Sequence, residues 1–227
     1  MTTDSDDGEA GNTVHENANK VLTIGHSTLP LDAFLTMLEK AGVTAVADVR
    51  SSPFSRRMPH FSRNELRASL KAFGIKYVFL GKELGGRPRA STLYCDGIAD
   101  YEKMALEPDF LDGIDRVISG AKEHTIALMC SEHNPLDCHR CLLVGRALSE
   151  RHIPLGHILN NGRVVEQYAI EEKLLALAGN TTEDMFASRH DRLAKAYKQR
   201  ARNVAYREPR PEMAESTASQ SPYDYAL

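Results

Sequence analysis

Between Thr125 and Arg146 the chain reads TIALMC, then SEHNPLD, then CHRCLLVGR. By hydrophobic period this is a short apolar strand, a polar loop and a helix. The strand ends on Cys130, the loop carries Glu132, His133 and Asp137, and the helix opens with Cys138, His139 and Arg140. A thiol near a helix N-terminus and beside imidazole or guanidinium can ionise near neutral pH, which makes Cys130 a candidate nucleophile. The competing reading is a small hydrophobe packed at a strand end. Glu132 and Asp48, each at the end of a strand, can serve as acid and base over one pocket, or as ion-pair partners of Arg50 and Arg140 that organise loops. Cys130, Cys138, His139 and His157 have zinc-ligand chemistry. Against that, the Cys-x7-Cys-His spacing is not a standard one, and neighbours on a helix point apart. Cys138-His-Arg-Cys141 is a C-x-x-C, a weak dithiol signal at this length. Arg50, Arg57 and Arg140, with Arg56, Arg63, Ser27, Ser51 and Ser55, are suited to ring an anion. Phe54, His60, Phe61 and Tyr77 lie among them and offer faces for stacking bases, or simply core.

The elements that must position these groups alternate between strand and helix. Lys20–Ile24 is read as a first strand before Gly25-His26-Ser27, and Pro30 sits just inside a helix with Leu31, Phe34, Leu35 and Leu38 on one face. Val43–Val49 is nearly all apolar, as a strand buried on both faces should be. Ser62-Arg63-Asn64-Glu65 matches a capping box at the start of a helix that Gly74 ends, and Ile75–Leu80 is a third strand. The loop GKELGGRPRASTLYCDG is long for a compact domain and so is functional or mobile. Leu155–Leu159 and Arg163–Val165 flank Asn161-Gly162, a strong hairpin signal, and a helix follows over 166–178. The fold class expected is α/β: a mostly parallel sheet with helices on both faces, three layers, plus a basic C-terminal helical extension. The organisation expected is an acidic disordered tail over 1–19, an α/β domain over 20–178, the extension over 179–206 and a disordered tail over 207–227.

Composition sets the class of partner. The formal charge of −3 conceals segregation. Residues 50–89 carry ten Lys or Arg against Glu65 and Glu83, and residues 183–207 carry seven against three acids. The first twenty residues carry five acids and one Lys. Such asymmetry suits an anionic partner, or else solvated faces and a tail. No apolar run has the length of a membrane-spanning helix, about 18 residues. The polar, acidic N-terminus is unlike a secretory signal, and the clustered cysteines read as reduced thiols, so a cytoplasmic location is expected.

The motifs TIGHS (23–27), DVRSSPFS (48–55), F-S-x-x-x-L (61–66), GIKY (74–77), LGG (84–86), LMCSEHNPLDCHR (128–140) and GHILNNG (156–162) occur in this order. Together they resemble the bacterial domain-of-unknown-function family numbered 488, over roughly residues 20–170. The resemblance implies an α/β fold and carries site positions onto Cys130, Glu132, Cys138, His139, Arg140 and Asp48-Val49-Arg50. It supplies no settled activity, and Cys141 departs from the family pattern. A looser likeness, to rhodanese-type domains, rests on a strand ending Asp-Val-Arg before a strand ending in Cys. Nine residues separate Cys130 from Arg140, however, where a rhodanese loop is short. The expectation is an enzyme acting on a phosphorylated substrate, a nucleotide or nucleic acid. Cys130, Glu132, Asp48 and His139 would be catalytic, and Arg50, Arg140, Ser27, Ser55 and Arg57 would bind the anion. The alternatives are a non-catalytic nucleic-acid-binding module and a rhodanese-like thiol enzyme. No cofactor is expected, with zinc as the alternative that the residue types leave open. No membrane partner is expected, and the oligomeric state is left open.

Overall fold

The computed structural model describes residues 20–179 and 187–209. The acidic stretch 1–19, residues 180–186 of the basic extension and residues 210–227 of the tail lie outside the described residues. Six strands form one sheet in the order β3-β2-β6-β1-β7-β8. They are β1 (Val21–Gly25), β2 (Ala45–Asp48), β3 (Lys76–Phe79), β6 (Ile126–Cys130), β7 (Leu155–Ile158) and β8 (Val164–Glu166). All neighbours are parallel except β7 and β8, the hairpin closed by the Asn161-Gly162 turn. Gly162 takes the positive φ (78°) that such a turn requires. A separate two-stranded ribbon, β4 (Tyr94–Cys95) with β5 (Ile98–Ala99), closes the end of the long loop.

The central strands are buried throughout, so their side chains divide between two cores. Leu22, Ile24, Val46, Ala127 and Met129 pack with Phe34, Leu38, Leu66 and Leu70 on one face. Those partners come from α1 (Leu31–Lys40) and α2 (Arg63–Ala72). Val21, Ala45, Ala47, Leu128 and Cys130 face the other way. There they meet α3 (Tyr101–Met104), α4 (Pro108–Ala121), α5 (Arg146–Ser149), α6 (Gln167–Leu177) and α7 (Arg189–Val204). The alternation follows from the two-residue period of a strand whose faces are both covered.

The chain leaves β1 and β2 toward α1 and α2 on one face, but leaves β6 toward α5 on the other. Connections that diverge from adjacent parallel strands open a crevice at their carboxyl ends, the usual ligand site of such sheets. Cys130 ends the strand at that crevice.

Two sequence expectations change. Ser62 does precede α2 but makes no side-chain cap, because its Oγ accepts from the Ser55 amide instead (3.2 Å). Residues 207–209, assigned above to a disordered tail, are held to the ribbon: Arg207 bridges Ile98, and the Glu208 amide donates to the Gly97 carbonyl (2.9 Å). Among the described residues no helix is long and apolar enough to cross a membrane.

Candidate functional site

Two carboxylates follow adjacent strands, and their surroundings differ. Asp48 is wholly buried and accepts four hydrogen bonds. Arg50 supplies three, from its amide (3.1 Å), Nε (2.8 Å) and Nη2 (2.6 Å), and Tyr77 Oη supplies the fourth (2.7 Å). Arg50 Nη1 meets His26 Nε2 at 3.2 Å. Burial, helped by the Arg50 charge, lowers His26 to about 4, so it is a neutral acceptor there while Nδ1–H donates to the Ser27 carbonyl. The ring stacks on Phe61 (4.2 Å between centroids), which places Phe61 in the core. Every strong acceptor position of Asp48 is occupied, as in a closed ion pair.

Beyond β6 the arrangement is open. Asn134 accepts from the Leu136 amide and Pro135 starts a single 3-10 turn, Pro135–Asp137. Cys138 is then extended (φ −138°, ψ 138°), and a π-helical stretch, Arg140–Gly145, begins only after His139. The helix was expected to include Cys138, which would have pointed Cys138 and His139 apart. Extended backbone at Cys138 instead turns both toward Cys130. Cys130 Sγ donates to Glu132 Oε2 at 2.8 Å and Cys138 Sγ approaches the same oxygen at 3.0 Å. His139 Nδ1 lies 3.7 Å from Cys130 Sγ and 3.9 Å from Cys138 Sγ. These four donor atoms all fall within 4.8 Å of one another, a grouping able to hold a metal ion. Residue 132 as a whole is exposed, yet its carboxylate end reaches in to both buried thiols.

The protons of this cluster are shared unequally. Burial, reinforced by the Cys138 sulfur and by Glu132, pushes Cys130 well above the ordinary thiol value. Burial opposes ionisation of Cys138 too, but the hydrogen bond from Cys130 and the charges of Arg140 and His139 bring it well below that value. These directions favour ionisation at Cys138 over ionisation at Cys130. Burial and the Cys138 sulfur hold Glu132 above the usual carboxylate range. Burial works against a charged His139, and Cys138 and Glu132 more than offset it, so its pKa rises.

A second layer fixes the first. His139 Nε2–H donates to the Val49 carbonyl (2.9 Å), which turns Nδ1 toward the thiols. The Arg140 amide donates to Cys138 Sγ (3.4 Å). Arg140 itself is fully buried and donates Nη1 to the Glu132 carbonyl (2.7 Å) and Nη2 to the His133 carbonyl (3.0 Å). Its guanidinium is thus spent on holding the site loop. Gly25 and Gly86 make room for these contacts. A Cβ on Gly25 would lie 1.9 Å from the Glu132 carbonyl oxygen, and one on Gly86 would lie 2.8–3.0 Å from the His139 ring.

Above the cluster is a cavity of about 270 Å³ lined by Arg50, Ser51, Arg87, Cys130, Glu132, Cys138, His139 and Tyr206, among others. The structure brings Cys130, Glu132, His139 and Arg50 of the expected site to this cavity. It places Asp48 behind Arg50, and Ser27, Ser55, Arg57 and Arg140 do not line the cavity. Ser27 adopts φ 45° and its amide donates to the Ser131 carbonyl, Ser55 Oγ accepts from the Met58 amide, and Arg57 is exposed. His157, the fourth zinc candidate, lies elsewhere, between Thr23 (2.8 Å) and Gln167 (2.6 Å). Cys141 is fully buried in the core, where burial pushes its thiol up to about 12, and it does not line the cavity.

Sequence reasoning missed Arg87, Tyr101, Val204 and Tyr206 on the cavity wall. The signals available were weak: Arg87 follows LGG in the long loop, and Tyr206 is the last aromatic of the basic extension. That extension is part of the site's frame. Arg200 binds the Leu136 carbonyl (3.0 Å) and Asp137, and the Arg87 guanidinium sits over the Tyr206 ring (4.8 Å).

Residues 30–147 match the family model described as Domain of unknown function DUF488. No curated protein and no solved structure shows significant similarity to the chain.

Proposed function

The chain belongs to the DUF488 family, whose description assigns no activity, and from the site itself we propose an enzyme that acts on a small anionic, phosphate-bearing substrate. The observation that carries this reading is one cavity whose floor is two thiols, a carboxylate and an imidazole, and whose wall carries Arg50 and Arg87. A surface that only binds needs charge and shape. It does not need four groups able to exchange protons or ligate, converging below a concavity, which is the mark of chemistry. Arg87 is exposed and stacked on Tyr206, so its fork is available to an anion, whereas Arg50 is already engaged by Asp48. Glu132 reaches from an exposed loop over the thiols and is the group placed to move a proton at the reacting atom.

The nucleic-acid module has less support, because much of the basic charge of the extension is paired with acids of the same chain. Arg189 pairs with Glu171 and Glu172, Arg200 with Asp137, and Arg202 with Asp96. The test is a thermal-shift and turnover screen over phosphate esters and nucleotides at fixed ionic strength. A ligand should raise the midpoint of the wild type. Arg87→Ala should weaken its binding by about 1.5–3 kcal/mol, and Glu132→Gln should keep binding and lose turnover. Full turnover in Glu132→Gln would remove the proton-transfer role, and binding unaffected by Arg87→Ala would remove the anion clamp.

A further inference from the structure

We infer that Cys130, Glu132, Cys138 and His139 form a binding site for one thiophilic divalent cation, zinc by its chemistry, at the floor of the cavity. A tetrahedral zinc ion with bonds of about 2.3 Å to sulfur and about 2.0 Å to nitrogen or oxygen sets its donors about 3.3–3.8 Å apart. The imidazole-to-sulfur separations, 3.7 and 3.9 Å, need to close by less than half an ångström to reach the nitrogen–sulfur spacing of about 3.5 Å. The carboxylate-to-sulfur separations, 2.8 and 3.0 Å, need to open by less than an ångström, which a carboxylate on an exposed loop residue can supply by rotating. Four donors of this kind within ten residues, all within 4.8 Å, come from four different backbone settings: a strand end, a loop, an extended residue and a helical one.

Three features outside the donors agree. The Val49 carbonyl accepts from His139 Nε2–H and so turns Nδ1 toward the sulfurs, the orientation in which a metal-ligating histidine is held by its second nitrogen. The Arg140 amide points at Cys138 Sγ, as amides do toward metal-bound thiolates. Charge balance is the third. Two thiols and a carboxyl are gathered in contact, and a divalent ion replaces the protons that otherwise let them coexist. Two sulfurs and an imidazole select zinc over magnesium or calcium, which take oxygen. Cys130, Cys138 and His139 are buried, so they are the permanent ligands. Glu132 is the one that yields its position to an incoming molecule from the cavity, and from there it stands beside the reacting atom, where the proton-transfer role given above is needed.

The experiment titrates reduced, full-length protein with Co²⁺ alone and then with Zn²⁺. The expected result is about one Co²⁺ per chain, thiolate-to-cobalt absorption in the near ultraviolet and intense visible bands of a tetrahedral ion, all abolished by Zn²⁺. Cys138→Ser removes one of the two thiolate ligands and should cut the thiolate band to about half, and the double variant Cys130→Ser/Cys138→Ser should abolish it, while Cys95→Ser, an exposed thiol outside the cluster, should keep it in full. Gly86→Ala adds a methyl against the His139 ring and should weaken Co²⁺ binding about 10–100-fold, the scale of second-layer changes, measured on the folded variant. If Cys138→Ser does not fold, Gly86→Ala and Glu132→Gln carry the test, the latter by a shift of the visible bands. No thiolate band with excess Co²⁺ in the wild type, or a band undiminished in Cys138→Ser, overturns the site. Binding without thiolate absorption overturns it as well, since the ion is then on surface histidines or carboxylates. The readout needs no substrate, so failure of the anionic-substrate reading and failure of this one are seen separately.

Discussion

Asp48 and Glu132 are two carboxylates at the carboxyl ends of neighbouring parallel strands, one the last residue of β2 and the other two residues past β6, and in sequence they look interchangeable. In the folded chain Asp48 is enclosed by Arg50 and Tyr77 and accepts four hydrogen bonds. Glu132 has two thiols for partners, each bound to the same oxygen. The first arrangement has nothing left to offer a ligand, and its product is a fixed Arg50. The second is frustrated as a structural contact and useful as a chemical one. Position at the carboxyl edge of a sheet therefore defines where chemistry is available, while the count of unspent donors and acceptors decides which group performs it.

The contrast predicts unequal responses to the same isosteric change, and the largest is at the closed pair. Asp48→Asn leaves a buried Arg50 cation (3% exposed) without its counter-charge. Breaking one partner of such a pair costs about 3–5 kcal/mol. Urea unfolding at neutral pH should show this as a lowered midpoint with an unchanged slope. A loss below 1 kcal/mol would mean that Arg50 escapes to solvent and that the pair is not a fixed frame.

The next effect comes from a second closed network, on the other side of the sheet. His157 lies between Thr23 Oγ1 and Gln167 Oε1, and Gln167 Nε2 continues to Tyr197 Oη (2.6 Å) and Glu171. Burial, with help from the Arg140 charge, lowers His157 to about 4 against raising effects of which the Gln167 hydrogen bond is the largest. The unfolded chain binds the proton near 6.5 and the folded chain only near 4. Between those values the unfolded state holds more protons, so stability must fall as pH falls. The loss attributable to this residue should reach about 2–3 kcal/mol by pH 4.5. His157→Gln should flatten the dependence between pH 6.5 and 4.5 relative to the wild type, whatever it costs at pH 7. An identical slope in the variant would show that other groups carry the acid sensitivity.

These closed networks explain what could and could not be read in the sequence. The strands were legible because VTAVADV and TIALMC are apolar at every position that both cores need. The site's address was legible too, since polar groups at the ends of such strands have few other reasons to be there. The allocation of roles was not. Arg140 has the look of an anion clamp, and only the fold of the loop over Gly25 reveals that its guanidinium is taken by the Glu132 and His133 carbonyls. Cys138 was read as helical because CHRCLLVGR continues an apolar period. The Asn134-Pro135 pair was the better guide, since it sets a tight turn and delays the helix. The basic extension looked like a face for a polyanion because pairing across 63 residues, as between Arg200 and Asp137, has no local signature.

That pairing supports a smaller prediction. Arg200 attaches α7 to the 3-10 turn that precedes Cys138, but both partners are partly exposed. Arg200→Ala should cost about 1 kcal/mol, the upper end for pairs open to solvent. High salt should reduce the difference from wild type, because screening weakens an exposed pair. Hydrogen exchange at Leu136 and Cys138 should quicken in the variant. No change there would detach α7 from the site and leave it a lid over the core alone.

The smallest effect on stability is expected where the effect on function is largest. Glu132→Gln keeps shape and volume, its residue is exposed, and its backbone carbonyl still receives Arg140. The Cys130 thiol loses a charged acceptor, but removing a carboxylate from beside Cys138, whose ionisation is favoured, also relieves repulsion, so the terms oppose each other. The unfolding free energy should stay within about 0.5 kcal/mol of wild type, as for surface changes away from structural pairs. Asp48→Asn and Glu132→Gln measured side by side then rank the two carboxylates directly. If the two variants lose equal stability, Glu132 is a second structural strut and the open site is closed after all. If Glu132→Gln unfolds like the wild type yet fails in turnover and changes the cobalt spectrum, one carboxylate holds the frame and the other does the chemistry.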